Sequence, residues 1–433
     1  MSTTASVVLW GREIGAVTWL DEAELGVFQY APEFVGSNIQ VAPLTMPLQN
    51  SPYQFPSLSR ESFYGLPGLL ADSLPDTFGN QLIDAWLATQ GRSPGSLNPV
   101  ERLCYTGSRG MGALEFKPSI KGLPTQSHKI EIEALVDLAN RVLDERISLE
   151  GKFAGQNDQR AIEDILRVGT SAGGARAKAI LAWNPHTGEF RSGQAPIKEG
   201  FEHWLMKFDG VSGNRDKELA DPLGFGRIEY AYSLMAGDAG ITMEACRLHE
   251  EGGRAHFMTK RFDRTDKGGK RHMQSLGAIC HYDFNQAGSN AYEQAIQTIQ
   301  RLALPREDIE QQVRRAFFNI VARNHDDHVK NIAFLMNRQG EWRLSPAFDV
   351  AYSYNPSGAW TSRHQMSLNG KRNDFQHEDL IAFALSAGLK KAQSTTLLRE
   401  VVASVINWRR YAKQAGVSTA DAQRIEKSFR LHL

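Results

Sequence analysis

The sequence predicts an α+β protein of two lobes, a β-rich amino-terminal part and a helical carboxy-terminal part with a cleft between them. Two observations support this. Up to about residue 262, short apolar segments alternate with glycine-rich or proline-rich turns. Beyond about residue 265, apolar residues recur at helical spacing over long segments. We divide the chain into residues 1–120, 121–262 and 263–433.

The composition is that of an ordinary soluble enzyme. The 433 residues are 41% hydrophobic and 23% charged, and Lys+Arg and Asp+Glu both total 49. This balance argues against bulk attraction to nucleic acid or membrane, although a local basic patch stays possible. Three isolated cysteines, Cys104, Cys246 and Cys280, argue against a disulfide framework. Without a signal peptide or an apolar run of about 18 residues, we expect a cytoplasmic protein.

The first 120 residues predict a small sheet and a helix. VVLWGREIGAVTWL at 7–20 alternates apolar and polar residues around its glycines, which is typical of a β-hairpin. A helix is expected to begin at a cap near Asp76 or Thr77. GALEFKP at 112–118 predicts a strand. The polar stretch 122–129 predicts a boundary, followed by a helix over 130–144.

The middle of the chain alternates strands with one helix. LRVGTSAGGARAKAILAWNP at 166–185 predicts strand, glycine-rich turn and strand, and HWLMKFDG at 203–210 predicts another strand. RIEYAYSLMAGDAGI at 227–241 predicts an amphipathic helix ending at Gly240, and HFMTKRFDR at 256–264 a further strand. Long helices are expected after it, at 291–304, 307–324 and 396–416.

The glycine-rich turn GTSAGGARAKA at 169–179 allows two interpretations. Its glycines, at 169, 173 and 174, let a backbone approach phosphate oxygens closely, and Arg176 and Lys178 add positive charge. The alternative is a plain tight hairpin, since neither the Walker pattern nor GxGxxG is present. Ser171 in this turn either bonds the turn backbone or is phosphorylated, which would place negative charge beside the phosphate site.

Lys207 lies inside the apolar strand segment WLMKF. A buried ammonium needs an anion, and in kinases a strand lysine contacts nucleotide phosphates while a helix glutamate holds it. Glu229 in the next helix is the expected partner. The alternative is a lysine on the solvent face of an edge strand.

The segment NHDDHVKN at 324–331 is the most informative. Asp326 and Asn331 are five residues apart, the spacing of the kinase loop H-R-D-x-x-x-x-N, whereas Asp327 has the wrong spacing. In LSPAFD, Asp349 is expected at the end of a short strand, where kinases carry a second metal-binding aspartate. Magnesium binds a few carboxylate or amide oxygens together with phosphate and water, so Asn331 and Asp349 suffice as protein ligands.

His325 and His328 suggest a competing function. Histidine–aspartate pairs hold metal directly in phosphohydrolases, and such a cage would need further ligands, for which His281 with Asp283, or His364, are candidates. No paired spacing supports them. A structural hydrogen bond or a helix cap is the expected role of both histidines.

Taken together, these motifs resemble the HipA family of bacterial serine/threonine kinases, the toxins of type II toxin–antitoxin pairs. FYGLPGLLADSLPDTFGNQLIDAW and LCYTGSRGMGALEFKP resemble its amino-terminal region. TSAGGARAKA resembles its phosphate loop, KRFDR its hinge, NHDDHVKN its catalytic loop and LSPAFDVAY its metal-binding segment. The order and number of the motifs make the match specific over nearly the whole chain.

The resemblance implies a role for each matching position. Asp326 is the implied catalytic base, Asn331 and Asp349 the magnesium ligands, Lys207 the phosphate lysine and Ser171 the autophosphorylation site. Asp263 is expected to touch the ribose, and the backbone from Met258 to Lys260 the adenine, although relatives often carry glutamate where Lys260 stands. The other implied nucleotide-binding residues are Ala172, Gly173, Gly174, Ala175, Lys178, His328 and Lys330.

The resemblance further implies a kinase-like fold, nearer to phosphatidylinositol kinases, with a β-rich small lobe and an all-helical large lobe. Family members use Mg-ATP, bind HipB, a dimeric helix-turn-helix antitoxin, and repress their own operon with it on operator DNA, at the nucleoid. Glutamyl-tRNA synthetase is the best-studied substrate. The implied function is therefore a toxin kinase. The alternatives are a DNA-associated co-repressor with lost or residual kinase activity, and a metal-dependent phosphohydrolase.

Overall fold

The computed structural model describes most of the chain. The described residues are 3–118, 130–144, 176–193, 199–211, 215–216, 219–220 and 223–433. The predicted boundary at 122–129 and the predicted phosphate-loop residues Ser171, Ala172, Gly173, Gly174 and Ala175 lie outside them.

Sixteen strands and fourteen helices are assigned in the described ranges. The strands are β1 (Thr4–Leu9), β2 (Arg12–Leu20), β3 (Leu25–Tyr30), β4 (Leu114–Lys117), β5 (Lys178–Trp183), β6 (Phe190–Ser192), β7 (Glu202–Lys207), β8 (Arg215–Asp216), β9 (Leu219–Ala220), β10 (Cys246–Glu251), β11 (Arg254–Lys260), β12 (His272–Ser275), β13 (Asn290–Ala291), β14 (Ala333–Met336), β15 (Trp342–Leu344) and β16 (Met366–Ser367). The helices are α1 (Pro32–Val35), α2 (Arg60–Phe63), α3 (Gly68–Ala71), α4 (Thr77–Thr89), α5 (Pro99–Thr106), α6 (Ile132–Asp144), α7 (Phe225–Asp238), α8 (Leu276–Cys280), α9 (Tyr292–Arg301), α10 (Arg306–Val321), α11 (His377–Ser386), α12 (Lys391–Ile406), α13 (Trp408–Ala415) and α14 (Thr419–Glu426).

The amino-terminal sheet is antiparallel, in the order β3-β2-β1-β4. Leu9 pairs with Arg12, so the β1–β2 loop consists of Trp10 and Gly11, both with positive φ (51° and 84°). Two such residues give the turn whose twist matches a hairpin, and the glycine adopts it without strain. The predicted hairpin and the predicted strand at 112–118 are both confirmed.

A second sheet carries the middle of the chain, in the order β10-β11-β7-β5-β6. One face packs against α4 and α6 in a hydrophobic core that includes Phe78, Leu135 and Met206. Helix α7 lies close to β11, since a Cβ on Gly226 would be 2.1 Å from the carbonyl oxygen of Ala255. The predicted cap of α4 is confirmed, because the Asp76 carboxylate accepts the Gly79 N–H at 2.7 Å.

The expectation of an all-helical carboxy-terminal part is wrong. Strands β12, β14 and β15 form an antiparallel sheet there, and β13 pairs with β16. Ala333–Met336 is a fully buried apolar run of four residues, too short for its periodicity to separate strand from helix. The segment at 396–416 spans parts of two helices, α12 and α13, with Asn407 between them.

A larger hydrophobic core joins distant parts of the chain. It includes Phe28 from the amino-terminal sheet, Tyr232 of α7 and Trp408 of α13. This core crosses our predicted domain boundaries, and the division stays a prediction. All three cysteines lie in the described ranges, and none forms a disulfide. Among the helices that the structure describes, none is long and apolar enough to span a bilayer.

Candidate active site

Lys207 forms a buried ion pair on an internal strand. Its side chain is 11% exposed, its Nζ lies 2.6 Å from Glu229 Oε1, and it also contacts the carboxylate of Asp349. Strand β7 lies between β11 and β5, so the edge-strand alternative is wrong. The predicted contact between Lys207 and Glu229 is confirmed.

Lys207, Glu229 and Asp349 shift one another's pKa values. Burial by itself would raise the pKa of Asp349, but Lys207 and, next, Lys178 outweigh it and hold that pKa well below its usual range. Burial by itself would lower the pKa of Lys207, yet Asp349 and Glu229 raise it. Burial raises the pKa of Glu229 against the attraction of Lys207. At neutral pH, Lys207 and Asp349 are therefore both charged.

Two further cations face the same space. Lys178 is the cross-strand partner of Lys207, so both side chains leave the same face of the sheet. The Lys178 ammonium lies 3.1 Å from Asp76 Oδ2, and both side chains are buried. Arg176 stacks over the Phe225 ring, 3.5 Å from its centroid. Lys178, Lys207 and Arg176, which lies just before β5, therefore place three cations on one side of this space, each beside a carboxylate. Clustered cations favour binding of a polyanion.

Asp326 and Asn331 are held by one short loop. Asn331 Nδ2 donates to the backbone carbonyl of Asp326 at 2.8 Å across the 3₁₀ turn Val329–Asn331. The nitrogen must face that carbonyl, so Asn331 Oδ1 points away from it and is available as a ligand. Asp326 N–H donates to Ser353 Oγ at 2.9 Å, and Trp360 Nε1–H donates to Asp326 Oδ1 at 3.1 Å.

Asp349 lies in a loop, which corrects the expected strand end. Strand β15 ends at Leu344, and Ala347 forms a bridge with Met243 before the chain reaches Asp349. Asp349 has a φ of 55°, in the left-handed region that non-glycine residues rarely adopt. Such strain is often found at functional sites, and here it accompanies the contact of the carboxylate with Lys207.

These side chains line one space, which we call the charged cleft. Its lining residues are Arg176, Lys178, Lys207, Phe225, Glu229, Asn324, Asp326, His328, Asp349, Ala351 and Ser353. Asn331 does not line the charged cleft itself, but it lines an adjoining pocket together with Asp349. An amide oxygen and a carboxylate are the oxygen donors that magnesium prefers, and the cations opposite suit phosphates. The residues present therefore fit a magnesium nucleotide.

The histidine–aspartate pair does not form a metal-binding dyad. His325 is buried and its Nδ1 lies 2.9 Å from the Thr361 carbonyl, to which it donates. Asp327 Oδ2 lies 2.7 Å from both His364 Nδ1 and the hydroxyl of Tyr292. Burial lowers the pKa of His364 against the attraction of Asp327, which keeps its ring neutral. His325 and Asp327 are thus occupied by structural hydrogen bonds, as expected for this histidine.

Two other proposed metal ligands, His281 and Asp283, accept backbone hydrogen bonds. His281 Nε2 accepts the Gly68 N–H at 3.0 Å, and Asp283 accepts the Asn285 N–H at 2.8 Å. In the described ranges, no cluster of three or more His, Cys, Asp or Glu residues has the arrangement of a metal site. His328 faces the charged cleft, with its Nε2 3.8 Å from Asp326 Oδ1.

Asp263, which was expected to touch the ribose, does not line the charged cleft. Its side chain is fully buried and lies within 2.7–2.9 Å of guanidinium nitrogens of Arg261 and Arg264. The Gly112 N–H donates to it as well, at 2.7 Å. Burial would raise the pKa of Asp263, but the two arginines hold it well below its usual range. Asp263 therefore joins the middle sheet to the amino-terminal region and does not line the cleft.

The side chains of three other residues predicted to contact the nucleotide do not line the charged cleft. The adenine contact predicted for the backbone of residues 258–260 stays a prediction. Met258 is buried in the core on the opposite face of the sheet from Lys207. Lys260, on that opposite face as well, forms ion pairs with Glu202 and Asp266 at 3.0 and 3.1 Å. The Lys330 ammonium lies over the Phe284 ring, 4.4 Å from its centroid. Burial lowers the Lys330 pKa, and Asp72 opposes this shift.

Sequence reasoning missed three contributors to the site. Asp76 was expected only as a helix cap, Asp327 was set aside for its spacing, and Trp360 was not considered. Their partners are far away in sequence: Lys178 for Asp76, Tyr292 and His364 for Asp327, and Asp326 for Trp360. No local pattern signals such a contact. The one available clue was the unusual pair of adjacent aspartates.

Comparisons with known proteins support one family. The family model described as HipA-like C-terminal domain matches residues 170–409, more than half of the chain. The family model described as HipA N-terminal domain matches residues 5–117. HipA in the Shewanella oneidensis MR-1 complex of HipA, HipB and operator DNA shares the fold. Its TM-score is 0.67 at 16% identity, over 98% of this chain and 94% of that chain. The Helicobacter pylori proinflammatory kinase CtkA aligns at a TM-score of 0.34 and 10% identity, over 54% of this chain and 89% of that chain. No curated protein matches the sequence.

Proposed function

Because this chain belongs to the HipA family, we propose that it is a Mg-ATP-dependent serine/threonine protein kinase and the toxin of a toxin–antitoxin pair. One observation carries the proposal. Asp326 meets the ion-paired Lys207, Glu229 and Asp349 in a single cleft with three cations on its sheet side, and Asn331 of the same loop shares an adjoining pocket with Asp349. This arrangement combines a base with groups that hold a nucleotide.

Each residue of the site has a separate role in phosphoryl transfer. Asp326 accepts the proton of the attacking serine or threonine hydroxyl and orients it in line with the γ-phosphorus. Lys207, fixed by Glu229, holds the phosphates, and Lys178 and Arg176 add positive charge on the same side. Magnesium, held by Asn331 and Asp349, offsets negative charge on the phosphates when bound.

Family membership and the fold shared with the Shewanella HipA support the proposed partners. We expect a dimeric helix-turn-helix antitoxin like HipB and, through it, operator DNA at the nucleoid. The net charge of +0 fits DNA contact through a partner rather than by bulk attraction. The proposed substrate is a component of translation, with glutamyl-tRNA synthetase as the first candidate.

The second candidate function is an antitoxin-binding co-repressor whose kinase activity is lost or residual. The same family membership favours it, since the related HipA is found in a complex with HipB and operator DNA. The kinase is favoured because the charged cleft carries the residue types that phosphoryl transfer requires. Both roles are compatible in one chain.

Autophosphorylation separates the two candidates. The purified chain incubated with magnesium and ATP is expected to gain one phosphate at Ser171, because this serine lies in the predicted phosphate loop. Mass spectrometry of phosphopeptides checks this, with Ser171→Ala as the matched control for the site. A chain that gains no phosphate, and that phosphorylates no protein in a cell extract, would contradict the kinase proposal and favour the co-repressor.

A further inference from the structure

The carboxylate of Asp326 receives a hydrogen bond from a distant aromatic residue. Trp360 Nε1–H donates to Asp326 Oδ1 at 3.1 Å, across 34 residues of sequence. Trp360 is half-buried and belongs to the segment 353–365, which follows the metal-binding loop. An indole has one donor and no acceptor, so the Trp360 N–H is the donor and restrains Asp326 Oδ1.

The backbone around Trp360 is itself held by hydrogen bonds. Gln365 Nε2 donates to the carbonyls of Trp360 and Arg363, and Gln365 N–H donates to Asp327 Oδ1 at 2.7 Å. The other carboxylate oxygen of Asp327 accepts His364 Nδ1–H at 2.7 Å. Asp327 is therefore the point to which the carboxy-terminal end of this segment is bound.

Two histidines complete the attachment. Arg430 Nη1 lies 3.0 Å from His364 Nε2, and an arginine can only donate, so Nδ1 carries the ring proton that Asp327 accepts. His325 donates to the Thr361 carbonyl, one residue after Trp360, at 2.9 Å. The residues on either side of Asp326 thus hold the segment that supplies its tryptophan.

We propose that Trp360 is a positioning residue for phosphoryl transfer, and that His325 and Asp327 anchor the segment that carries it. The inference rests on the proposed kinase function. The two adjacent aspartates then have separate tasks: Asp326 meets the acceptor hydroxyl, while Asp327 holds Trp360 in place. The physical reason is that transfer requires the carboxylate at a defined angle and distance, and small misplacements slow it strongly.

Removal of the indole N–H tests the proposal. Trp360→Phe is expected to lower the single-turnover rate constant of phosphoryl transfer roughly tenfold or more at saturating Mg-ATP. The ATP concentration that gives half the maximal rate should change little, because Trp360 donates to Asp326 and is not among the residues that line the charged cleft. Trp342→Phe is the matched control. It removes a similar bond, from Trp342 Nε1 to the Gln40 carbonyl at 3.1 Å, outside the cleft, and should leave the rate unchanged.

A second substitution separates the effect of losing the N–H donor from the effect of changing the ring. Replacing the Trp360 indole by its benzothiophene analogue keeps the shape and removes only the donor, so the same rate loss is expected even if Trp360→Phe folds poorly. Full activity of the benzothiophene protein, in a chain that Asp326→Asn inactivates, would overturn the role of Trp360 alone. Absence of transfer by the unaltered chain would remove both this role and the proposed function.

Discussion

Replacement of Asp326 by Asn is expected to lower the rate of phosphoryl transfer roughly 10²–10⁴-fold, because the substituted amide cannot accept the hydroxyl proton. The fold should persist. Asn is nearly isosteric, its Oδ1 can still accept from Trp360, and its backbone keeps the bonds to Ser353 and Asn331. The loss is therefore expected in the chemical step and not in stability.

Initial rates with γ-labelled ATP measure this effect, and equilibrium binding of a fluorescent ATP analogue separates it from nucleotide affinity. We expect the affinity of Asp326→Asn to stay near that of the unaltered chain. Asp266→Asn is the charge-matched control, since this carboxylate is 90% exposed and lies outside the cleft. Normal turnover by Asp326→Asn would refute its role as the base.

Replacement of Asp263 by Asn is expected to destabilise the folded chain by roughly 3–5 kcal/mol, because it leaves two buried guanidinium groups without their counterion. Arg261 and Arg264 are 1% and 6% exposed. Since the pKa of Asp263 is lowered on folding, its contribution is present above the unfolded pKa and is lost only in acid. The full effect is therefore expected at neutral pH.

The urea midpoint reports this loss, and nucleotide affinity measured without denaturant shows whether the cleft is affected. We expect a lower midpoint and little change in affinity per folded molecule. Glu426→Gln, which breaks an ion pair with the exposed Arg409, should leave the midpoint unchanged. An unchanged midpoint with weakened nucleotide binding for Asp263→Asn would instead restore the ribose contact that the sequence suggested.

Local spacing predicted the parts of the site that lie close together in sequence. Asp326 and Asn331 share one loop, so their spacing of five residues was enough to predict that they lie close together. Lys207 was conspicuous because an ammonium inside an apolar strand needs a counterion, and Glu229 on the next helix provides it. The amino-terminal hairpin, the strand at 112–118 and the helix cap at Asp76 were also predicted from local patterns.

Long-range burial explains what could not be predicted. Asp263 was expected to touch the ribose and Asp327 was set aside for its spacing. Both are buried, and both accept hydrogen bonds from residues far away in sequence, Gly112 and Tyr292 respectively. The strand Ala333–Met336 was missed because four apolar residues carry no clear period. Trp360 donates to Asp326 from 34 residues away, and its segment is hydrogen-bonded to the same loop through Gln365 and Asp327, which no local pattern signals.

A crystal structure with magnesium and a non-hydrolysable ATP analogue tests the central claim most directly. We expect a metal ion bound by the Asn331 amide oxygen and the Asp349 carboxylate, the triphosphate against Lys207, and Asp326 facing the terminal phosphate. A nucleotide bound elsewhere, or Asn331 and Asp349 turned away from the triphosphate, would contradict the assignment of this cleft to phosphoryl transfer.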